Sequence, residues 1–494
     1  MGVLLSVDLG TSAVKVLAVT ATGAVQSFAT AGYELRTPEP GRVEQDPADW
    51  WAAVQQALVA CLERVPGGAA AVDAISFSGH MSGLVLVDAA GEALAPCIML
   101  ADLRSAPQAD RLRATLGERV LRLTGNQPLP AFLAPKLLWV KEHAPALYSR
   151  AAGFLMPKDF IRARFTGGLC TEPTDAGSTL VLDPVRGTWD VDLCREMGLD
   201  PRLLPELRRS VEVVGTVTAE AAAATGLLAG TPVVAGAGDM ACSAIGTGAV
   251  VGGVVAVTIS TAAQVLTAVD RPLAAGWGKL TFHPHAVPGT LYALGSVFTG
   301  GLGLRWLSRL LADADLGRLS ALAAEVPPGA GGVVFLPFLS GSGSPQWYRD
   351  ASASFLGLRI GTGRGHIVRA VMEGVAYNLR ENLEVLRSLG VPVQRVHLGG
   401  GGSASPVWRS LMAGVLGTAV HPCLEREAAG IGAAALAGVG VGVFAGVREA
   451  AQALARTGEP VRPDAAEVAR YQEMYAVYQH VQSTLNGLFP LLAR

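Results

Sequence analysis

The sequence predicts an α/β protein with two related domains that face a common cleft. The stretch "SVDLGTSAVK" (6–15) matches "AVTISTAAQV" (256–265) position by position, and each reads as strand, small polar turn, strand. Strand patterns also alternate with helical ones, and 494 residues exceed the length that a single core ordinarily serves. We therefore expect an N-terminal domain over 1–245 and a C-terminal domain over 246–494, with the boundary near 240–252.

The elements of the first unit follow in order from local patterns. Residues 3–30 combine β-branched runs with turn residues, which predicts a β-meander. Asp46 or Asp49 can cap the helix that begins at Pro47, and its apolar stripe continues to Leu62. The pattern then predicts strands at 72–79 and 84–87, helices over most of 104–150, and a second strand–turn–strand set after residue 231.

The composition narrows the class of protein. Half of the residues are hydrophobic and 16% are charged, which indicates a globular chain. The formal net charge is −2 and no basic run is present, which argues against a nucleic-acid partner. Six scattered cysteines without a CxxC pair, and no signal-peptide pattern, predict a cytoplasmic protein with reduced thiols.

One uncharged segment, 428–447, is about long enough to cross a membrane. Its residues are mostly Ala and Gly, and few large apolar groups are present to favour hydrocarbon. We therefore expect a tightly packed helix in the core and no membrane association.

The opening turn places Asp8 at the end of an apolar strand, immediately before Gly10, Thr11 and Ser12. A carboxylate there is costly to bury without a cation or hydrogen bonds. Backbone N–H groups of a Gly-Thr-Ser turn form a natural cradle for anions. Together these features suggest a metal-bound phosphate, and the alternative is an ordinary polar hairpin turn.

Asp239 is the strongest candidate for a catalytic residue. The apolar strand of "VVAGAGDM" runs into Gly236 and Gly238, so the backbone there can approach a ligand. Phosphoryl transfer to a hydroxyl needs a carboxylate that orients the nucleophile and accepts its proton. The alternative is that Asp239 caps the helix that follows.

The remaining polar and Gly-rich stretches carry weaker signals. "HLGGGGSASPVW" (397–408) allows a base or ribose to approach the backbone, but it has neither GxGxxG nor GKS/T spacing. His80 suits contact with a polyol or a structural role. Asp102 and Arg104 suit either recognition of hydroxyls or a surface ion pair. "FHPHAVPG" (282–289) offers two histidines without a third metal ligand nearby.

In this order, these stretches resemble the FGGY family of carbohydrate kinases, within the actin/hexokinase-like ATPase superfamily, and among them the xylulokinases. "VDLGTSAVKV" is similar to the family's first phosphate segment and "AGAGDM" to its catalytic segment. The C-terminal signature is matched by 353–374, and 44–51, 134–145 and 156–168 resemble xylulokinase segments. The resemblance implies two ribonuclease-H-like (actin-like ATPase) domains with a cleft between them.

The resemblance also implies roles for individual residues. Asp239 would be the general base for a sugar hydroxyl, and Asp8 would hold Mg²⁺ directly or through water. The other implied contacts are to the phosphates of ATP (Gly10, Thr11, Ser12, Lys15, Ser260 and Thr261), to adenosine (Gly301, Gly401, Gly402 and Ser405) and to the sugar (His80, Met81, Ser82, Asp102, Arg104 and Asp239).

Three motifs depart from the family's pattern. The second phosphate turn is Ser260-Thr261 where Gly-Thr is usual, and His80-Met81-Ser82-Gly83 replaces Gln-Met-His-Gly. Leu100 to Arg104 keeps only the charged pair of Trp-Asn-Asp-Gly-Arg. The catalytic segments are therefore better preserved than the sugar segments, so the resemblance implies nucleotide chemistry more directly than it implies D-xylulose.

The implied activity is an ATP-dependent kinase for the terminal primary hydroxyl of a ketose, with D-xylulose converted to D-xylulose 5-phosphate. Sedoheptulose, ribulose or another polyol is the alternative substrate. Two other classes stay open: a catalytically silent sugar or nucleotide sensor, and an actin- or chaperone-like ATPase that acts on protein. We expect a small-molecule partner, no nucleic acid, no membrane and a homodimer.

Overall fold

The computed structural model describes residues 2–348 and 350–492. The strands of its first half are β1 (Val3–Leu9), β2 (Ala13–Thr20), β3 (Val25–Gly32), β4 (Glu44–Gln45), β5 (Val72–Gly79), β6 (Val85–Val87), β7 (Cys97–Ile98), β8 (Gly153–Leu155), β9 (Cys170–Thr171), β10 (Leu182–Asp183), β11 (Thr188–Trp189), β12 (Glu206–Leu207), β13 (Val213–Thr216), β14 (Pro232–Val234) and β15 (Ala237–Gly238). Its helices are α1 (Pro47–Leu62), α2 (Ala106–Thr124), α3 (Leu133–His143), α4 (Pro145–Arg150), α5 (Pro157–Thr166), α6 (Pro173–Ala176), α7 (Val191–Glu196), α8 (Ala219–Thr225) and α9 (Asp239–Gly246).

The second half begins a new sheet. Its strands are β16 (Gly253–Ile259), β17 (Ala263–Val269), β18 (Thr281–Pro284), β19 (Leu291–Val297), β20 (Val334–Leu336), β21 (Ser354–Leu356), β22 (Val393–Gly399) and β23 (Val420–Pro422). Its helices are α10 (Gly301–Leu310), α11 (Leu316–Ala324), α12 (Arg364–Ser388), α13 (Pro406–Leu416), α14 (Ala428–Gly440), α15 (Val447–Leu454), α16 (Ala465–Asn486) and α17 (Phe489–Leu492).

Each half is built around one mixed sheet, and the two sheets share a pattern. The first has the order β13-β14-β5-β1-β2-β3, with β15 beside β5, and the second has the order β18-β19-β17-β16-β22-β23. In both, an antiparallel hairpin (β1–β2 or β16–β17) is extended by a parallel strand beside its first member (β5 or β22). The predicted α/β class and the match of 6–15 to 256–265 are confirmed, because both segments form such hairpins.

The meander and the first helix form as the sequence predicts. β1, β2 and β3 pair antiparallel, and their inward side chains pack against α1. The Asp46 side chain accepts a hydrogen bond from the Ala48 N–H and Pro47 occupies the first turn, where a missing N–H costs nothing. Trp50 is fully buried, which anchors α1 on the sheet.

The chain crosses back to the first sheet near its C-terminus. α14 packs on α9, β1 and β5, although it follows the whole second sheet in sequence. Its Ala and Gly side chains allow this approach: a Cβ at Gly432 would lie 1.9 Å from the Cys242 carbonyl oxygen. The expectation of a tightly packed core helix is confirmed, and that helix ends at Gly440. In the described part of the chain, no helix is long and apolar enough to span a membrane.

The division into 1–245 and 246–494 stays a proposal. The two sheets lie on either side of this boundary, but α14 and α15 come from the second segment and pack with the first sheet. A domain defined by packing therefore draws on both segments.

Candidate active site

Three strands of the first sheet end at the same edge and bring Asp8 towards Asp239. β1 and β5 run parallel with Asp8 opposite Ser78, and β15 runs parallel to β5 with Ala237 opposite Ser78. Asp239 follows β15 directly, as the first residue of α9. Carboxyl ends of parallel strands form the usual binding edge of α/β sheets, so the topology makes this edge the candidate site.

Asp8 is buried and has one partner among the described side chains. Its Oδ1 accepts a hydrogen bond from the Ser78 hydroxyl at 2.7 Å. Burial raises the pKa of Asp8, whereas the Ser78 hydrogen bond and the charge of Lys15 lower it. The other carboxylate oxygen accepts no hydrogen bond from the described residues, which leaves it for a ligand.

Asp239 is partly exposed at the start of α9. Burial, followed by the negative charge of Asp8, raises the pKa of Asp239 to about 7. A general base works best when its pKa lies near the working pH, so this environment suits proton transfer. Gly236 turns the chain with φ of 81°, and a Cβ there would lie 2.1 Å from the Phe77 carbonyl oxygen.

A buried charged network supports the backbone beside Asp239, and sequence reasoning missed it. The Gly238 N–H donates to Thr174 Oγ1 at 2.8 Å, and the Thr174 hydroxyl donates to Glu172 at 2.7 Å. Lys158 Nζ lies 3.2 Å from Glu172 and 3.4 Å from Asp175. Acidic and basic residues near 158–175 were a visible signal, but only the fold reveals that they are buried together.

The first phosphate turn is held by its carbonyl groups. The Tyr33 hydroxyl donates to the Gly10 carbonyl, Gln45 Nε2 donates to the Thr11 carbonyl at 2.7 Å, and the Tyr33 N–H donates to the Ser12 carbonyl at 3.2 Å. Within the described chain, the N–H groups of Thr11 and Ser12 donate no hydrogen bond. An exposed turn with free N–H groups fits the anion cradle that the sequence predicts.

The second turn, Ser260–Ala262, is held in the same way by the start of α10. The Gly301 N–H donates to the Ser260 carbonyl at 2.6 Å, and the Gly300 N–H donates to the Thr261 carbonyl at 3.0 Å. Arg305 donates to the Thr261 hydroxyl at 2.8 Å. Arg305, which the sequence analysis did not single out, adds a positive charge beside this turn.

A cavity of about 590 Å³ opens next to the second turn. It is bordered by the second turn, the first turn of α10, the Gly-rich loop after β22 and the start of α13. Its lining includes five residues predicted from the sequence: Ser260, Gly301, Gly401, Gly402 and Ser405. Ser405 caps α13 by accepting a hydrogen bond from the Trp408 N–H. The fold therefore gathers the candidate adenosine residues around one space that a nucleoside can enter.

The candidate sugar segment follows β5. His80 is buried, and both ring nitrogens lack a hydrogen-bond partner among the described residues. Burial and the charge of Lys136 lower the pKa of His80 to about 3, so the ring is neutral. Met81 Sδ accepts a hydrogen bond from the Tyr292 hydroxyl of the second sheet at 3.4 Å. Ser82 has φ of 64°, and its carbonyl accepts from Lys136 Nζ at 2.6 Å.

Asp102 and Arg104 form a buried ion pair rather than a surface pair. Arg104 donates to Asp102 at 2.7 Å and to Glu44 at 2.6 Å, and the Val43 N–H also donates to Asp102. Hydrogen bonds from the Arg104 guanidinium group occupy both carboxylate oxygens of Asp102. The surface alternative is wrong, because Asp102 is inaccessible to solvent. Their contact with a sugar stays a prediction.

Lys15 has a partner that sequence reasoning missed. Its Nζ binds Glu427, which immediately precedes α14 and lies 412 positions later in the chain. The two side chains are 36% and 30% exposed, so the pair remains within reach of solvent and ligands. Its predicted phosphate contact remains compatible with this position, because an exposed ion pair exchanges partners at little cost.

A divalent cation fits the pair formed by Asp8 and Asp239. The negative charge of Asp8 adds to the cost of ionising Asp239, and a cation beside Asp8 would relieve it. Mg²⁺ takes one or two protein carboxylates and completes its shell with phosphate and water. Within the described chain, no group of three or more His, Cys, Asp or Glu side chains could hold a metal ion.

The histidines of "FHPHAVPG" are buried near the contact between the two sheets. His283 stacks on Tyr292 and on Phe132, and burial lowers the pKa of His283 and of His285 to about 4. Both are neutral groups packed among aromatic rings.

Comparison with known proteins identifies the family. A model of the FGGY family of carbohydrate kinases, N-terminal domain, matches residues 3–246, and the C-terminal-domain model matches 241–441. A xylulose kinase from Bacillus subtilis (strain 168) is 35% identical over 492 residues, covering 99% of this chain and 98% of that protein.

Solved structures agree along the whole chain. A xylulose kinase from Rhodospirillum rubrum has 32% identity and a TM-score of 0.88, with 99% of each chain covered. A gluconate kinase from Lactobacillus acidophilus has 26% identity and a TM-score of 0.91, again with 99% of each covered. The two family models and the relatives matched over nearly the whole chain show that it belongs to the FGGY family of carbohydrate kinases, with the actin/hexokinase-like ATPase fold.

Proposed function

We propose that this carbohydrate kinase transfers the γ-phosphoryl group of ATP to the terminal primary hydroxyl of D-xylulose, giving D-xylulose 5-phosphate and ADP. Sugar kinases of this family use ATP and typically a divalent metal, and we propose Mg²⁺ for this chain. The single observation that carries the chemistry is the Asp239 carboxylate, partly exposed beside Asp8 with a pKa of about 7. The xylulose kinases of similar sequence support the choice of sugar.

Asp239 is the proposed general base. It accepts the proton of the sugar hydroxyl while the hydroxyl oxygen bonds to the γ-phosphorus and the bond to the β,γ-bridging oxygen breaks, which releases ADP. Thr174 holds the Gly238 amide and so keeps the Asp239 backbone in position. The free N–H groups of Thr11 and Ser12, with Lys15 and Thr261, would receive phosphate oxygens.

Asp8 is the proposed holder of the cation. When bound, Mg²⁺ would neutralise charge that develops on the phosphate oxygens. Asp8 would present its free carboxylate oxygen, because its other oxygen is occupied by Ser78. The neutral His80 ring, with two unpartnered nitrogens, would bind a sugar hydroxyl, with Met81, Ser82, Asp102 and Arg104 around it. Adenosine would occupy the cavity that Gly301, Gly401, Gly402 and Ser405 border.

Another ketose or sugar acid is the second candidate substrate. The altered order His80-Met81-Ser82 moves the imidazole within the sugar segment, and the relatives of similar fold include a gluconate kinase. We also propose that the protein acts in the cytoplasm, since its six cysteines are buried free thiols. A homodimer stays a prediction, which sedimentation analysis can test.

ADP release from ATP, measured with a panel of sugars, tests the function. D-xylulose should give the highest kcat/KM among D-xylulose, D-ribulose, sedoheptulose, gluconate and glycerol, and mass spectrometry should find the 5-phosphate. A higher value for another member would replace the substrate. If no sugar stimulates ADP release while sugars still raise the Tm, the protein is a sensor. ATP hydrolysis that is independent of sugar would indicate an ATPase that acts on protein.

A further inference from the structure

The first hairpin contains a cross-strand pair of opposite charge that does not bind to itself. Asp8 and Lys15 are direct partners across β1 and β2, so their side chains emerge on the same face of the sheet. Opposite charges in this arrangement ordinarily attract each other. Among the described residues, however, Asp8 binds Ser78, and the ion pair of Lys15 is with Glu427.

The packing of α14 explains how Glu427 reaches Lys15. A Cβ at Gly430 would lie 2.6 Å from Leu17 Cδ1, and Leu17 lies on β2 two residues after Lys15. A Cβ at Gly432 would lie 1.9 Å from the Cys242 carbonyl oxygen. The small residues of α14 therefore bring its N-terminal end against the end of the hairpin, where Glu427 meets the lysine.

The three charged groups meet at the end of the hairpin. Lys15 is the cross-strand partner of Asp8 and also binds Glu427. Asp8 is buried, whereas Lys15 and Glu427 are about one-third exposed. Lys15 thus has two acidic groups within reach and is joined to the more exposed one.

We propose that Glu427 is a positioning residue, which holds the Lys15 ammonium group away from Asp8 and so keeps the Asp8 carboxylate open to a divalent cation. The inference rests on the proposed function, in which Asp8 holds the cation of ATP. Without Glu427, Lys15 pairs with its cross-strand partner and competes with the cation for the same carboxylate. When ATP binds, Lys15 leaves Glu427 for an oxygen of the γ-phosphate, which ADP lacks.

Binding of Mn²⁺ to the full-length protein with saturating ADP, followed by electron paramagnetic resonance, tests the proposal without any sugar. Glu427→Gln should raise the Mn²⁺ dissociation constant about fivefold, because the freed ammonium then competes for Asp8. Glu425→Gln is the matched control, since Glu425 binds Arg456 at 2.8 Å on the surface and should leave the constant unchanged. If Glu427→Gln does not fold, as judged by its Tm, Glu427→Ala takes its place with the same expectation.

A double-mutant cycle separates positioning from direct ligation. In a Lys15→Met background there is no ammonium to hold away, so Glu427→Gln should change the Mn²⁺ constant by less than about twofold. An equal loss of affinity in both backgrounds would mean that Glu427 binds the cation itself, and the proposal would be overturned. Unchanged affinity of the single variant, or a wild-type protein that binds no Mn²⁺ with ADP, would overturn it as well.

The two proposals fail in distinguishable ways. If no sugar is phosphorylated, the sugar kinase proposal is lost, but a Mn²⁺ constant that depends on Lys15 and Glu427 still supports the positioning role. If D-xylulose is phosphorylated and the cycle shows no coupling, only the role of Glu427 is lost.

Discussion

Asp239 combines a proposed catalytic role with a cost in folding free energy. Its pKa is raised to about 7 by burial and by Asp8, so at neutral pH the folded protein holds a charge that the unfolded chain would carry more cheaply. Such groups are found where selection maintains activity at the expense of stability.

Replacement of Asp239 by Asn should separate these two effects. Without a proton acceptor, kcat should fall by about 10² to 10⁴-fold, while nucleotide binding is largely retained. Turnover is measured by ADP release, and nucleotide binding by titration calorimetry. Near-normal turnover would remove Asp239 as the base.

The same variant should be more stable, which distinguishes the proposed base from a merely structural aspartate. Because the folded pKa lies above the ordinary value of 3.8, the cost of the ionised group grows as the pH rises from there to about 7 and is constant above. At pH 8, Asp239→Asn should therefore raise the Tm and increase the free energy of unfolding by about 1 to 2 kcal/mol. At pH 4 the variant should leave the Tm nearly unchanged. A lower Tm at pH 8 would contradict the assignment.

The pH dependence of the wild-type enzyme should report the same group. The base must be ionised to accept a proton, so kcat/KM should fall as the pH drops through about 7 and level off above it. His80 cannot produce this limb, because its pKa is lowered to about 3. A His80→Gln variant that keeps the limb provides the control, and a flat profile between pH 6 and 8 would contradict the prediction.

At the scale of elements, α14 joins the second half of the chain to the first sheet. It follows the second sheet in sequence but packs against α9 and the first sheet, and its glycines permit the contact. The helix has low intrinsic stability because of these glycines, so its order depends on packing.

Gly432→Ala should therefore destabilise the protein, although alanine favours helix. The added Cβ would lie 1.9 Å from the Cys242 carbonyl oxygen, so α9 and α14 must separate, at a cost of about 3 kcal/mol. Gly117→Ala, in α2 with its nearest contact at 3.6 Å, should instead stabilise by about 0.5 to 1 kcal/mol. Urea denaturation measures both changes, and a neutral Gly432→Ala would contradict the close packing.

At the scale of the whole molecule, contacts outside α14 and α15 also join the first half of the chain to the second sheet. Asn126 Nδ2 donates to the Phe282 carbonyl at 2.7 Å, and the Phe282 N–H donates to Asn126 Oδ1 at 2.9 Å. The Tyr292 hydroxyl reaches Met81 in the sugar segment. The halves of a kinase cleft must move relative to each other for substrates to enter, and these contacts set their spacing.

Asn126→Ala should weaken the coupling between the halves. The change leaves two buried backbone groups of Phe282 without partners, which costs about 2 to 3 kcal/mol. In calorimetry the Tm should fall, and the unit around the first sheet, which includes α14 and α15, should unfold separately from the unit around the second sheet. Asn486→Ala is the control, because Asn486 is exposed at the end of α16. If Asn126→Ala still unfolds in a single transition with an unchanged Tm, the role of this contact is contradicted.

The sequence by itself determined the local elements and singled out Asp8 and Asp239 as candidate site residues. The strand–turn–strand patterns at 6–15 and 256–265, the helix capped at Asp46 and the strand that ends before Asp239 are set by periodicity and turn chemistry within a few residues. The motifs also predicted the correct family, because their residue types and their order along the chain match the family's pattern. The roles of the site residues stay predictions until they are measured.

Only the tertiary structure decided which charged groups meet. Glu427 binds Lys15 although the two residues are 412 positions apart in the chain. Lys136 donates a hydrogen bond to the Ser82 carbonyl. Asp102 is buried, although a surface ion pair was one of the alternatives that the sequence allowed. The physical reason is that charge pairing depends on how helices and sheets pack over long sequence distances. Local patterns constrain the backbone of each element but contain no information on the partner that its side chains will face.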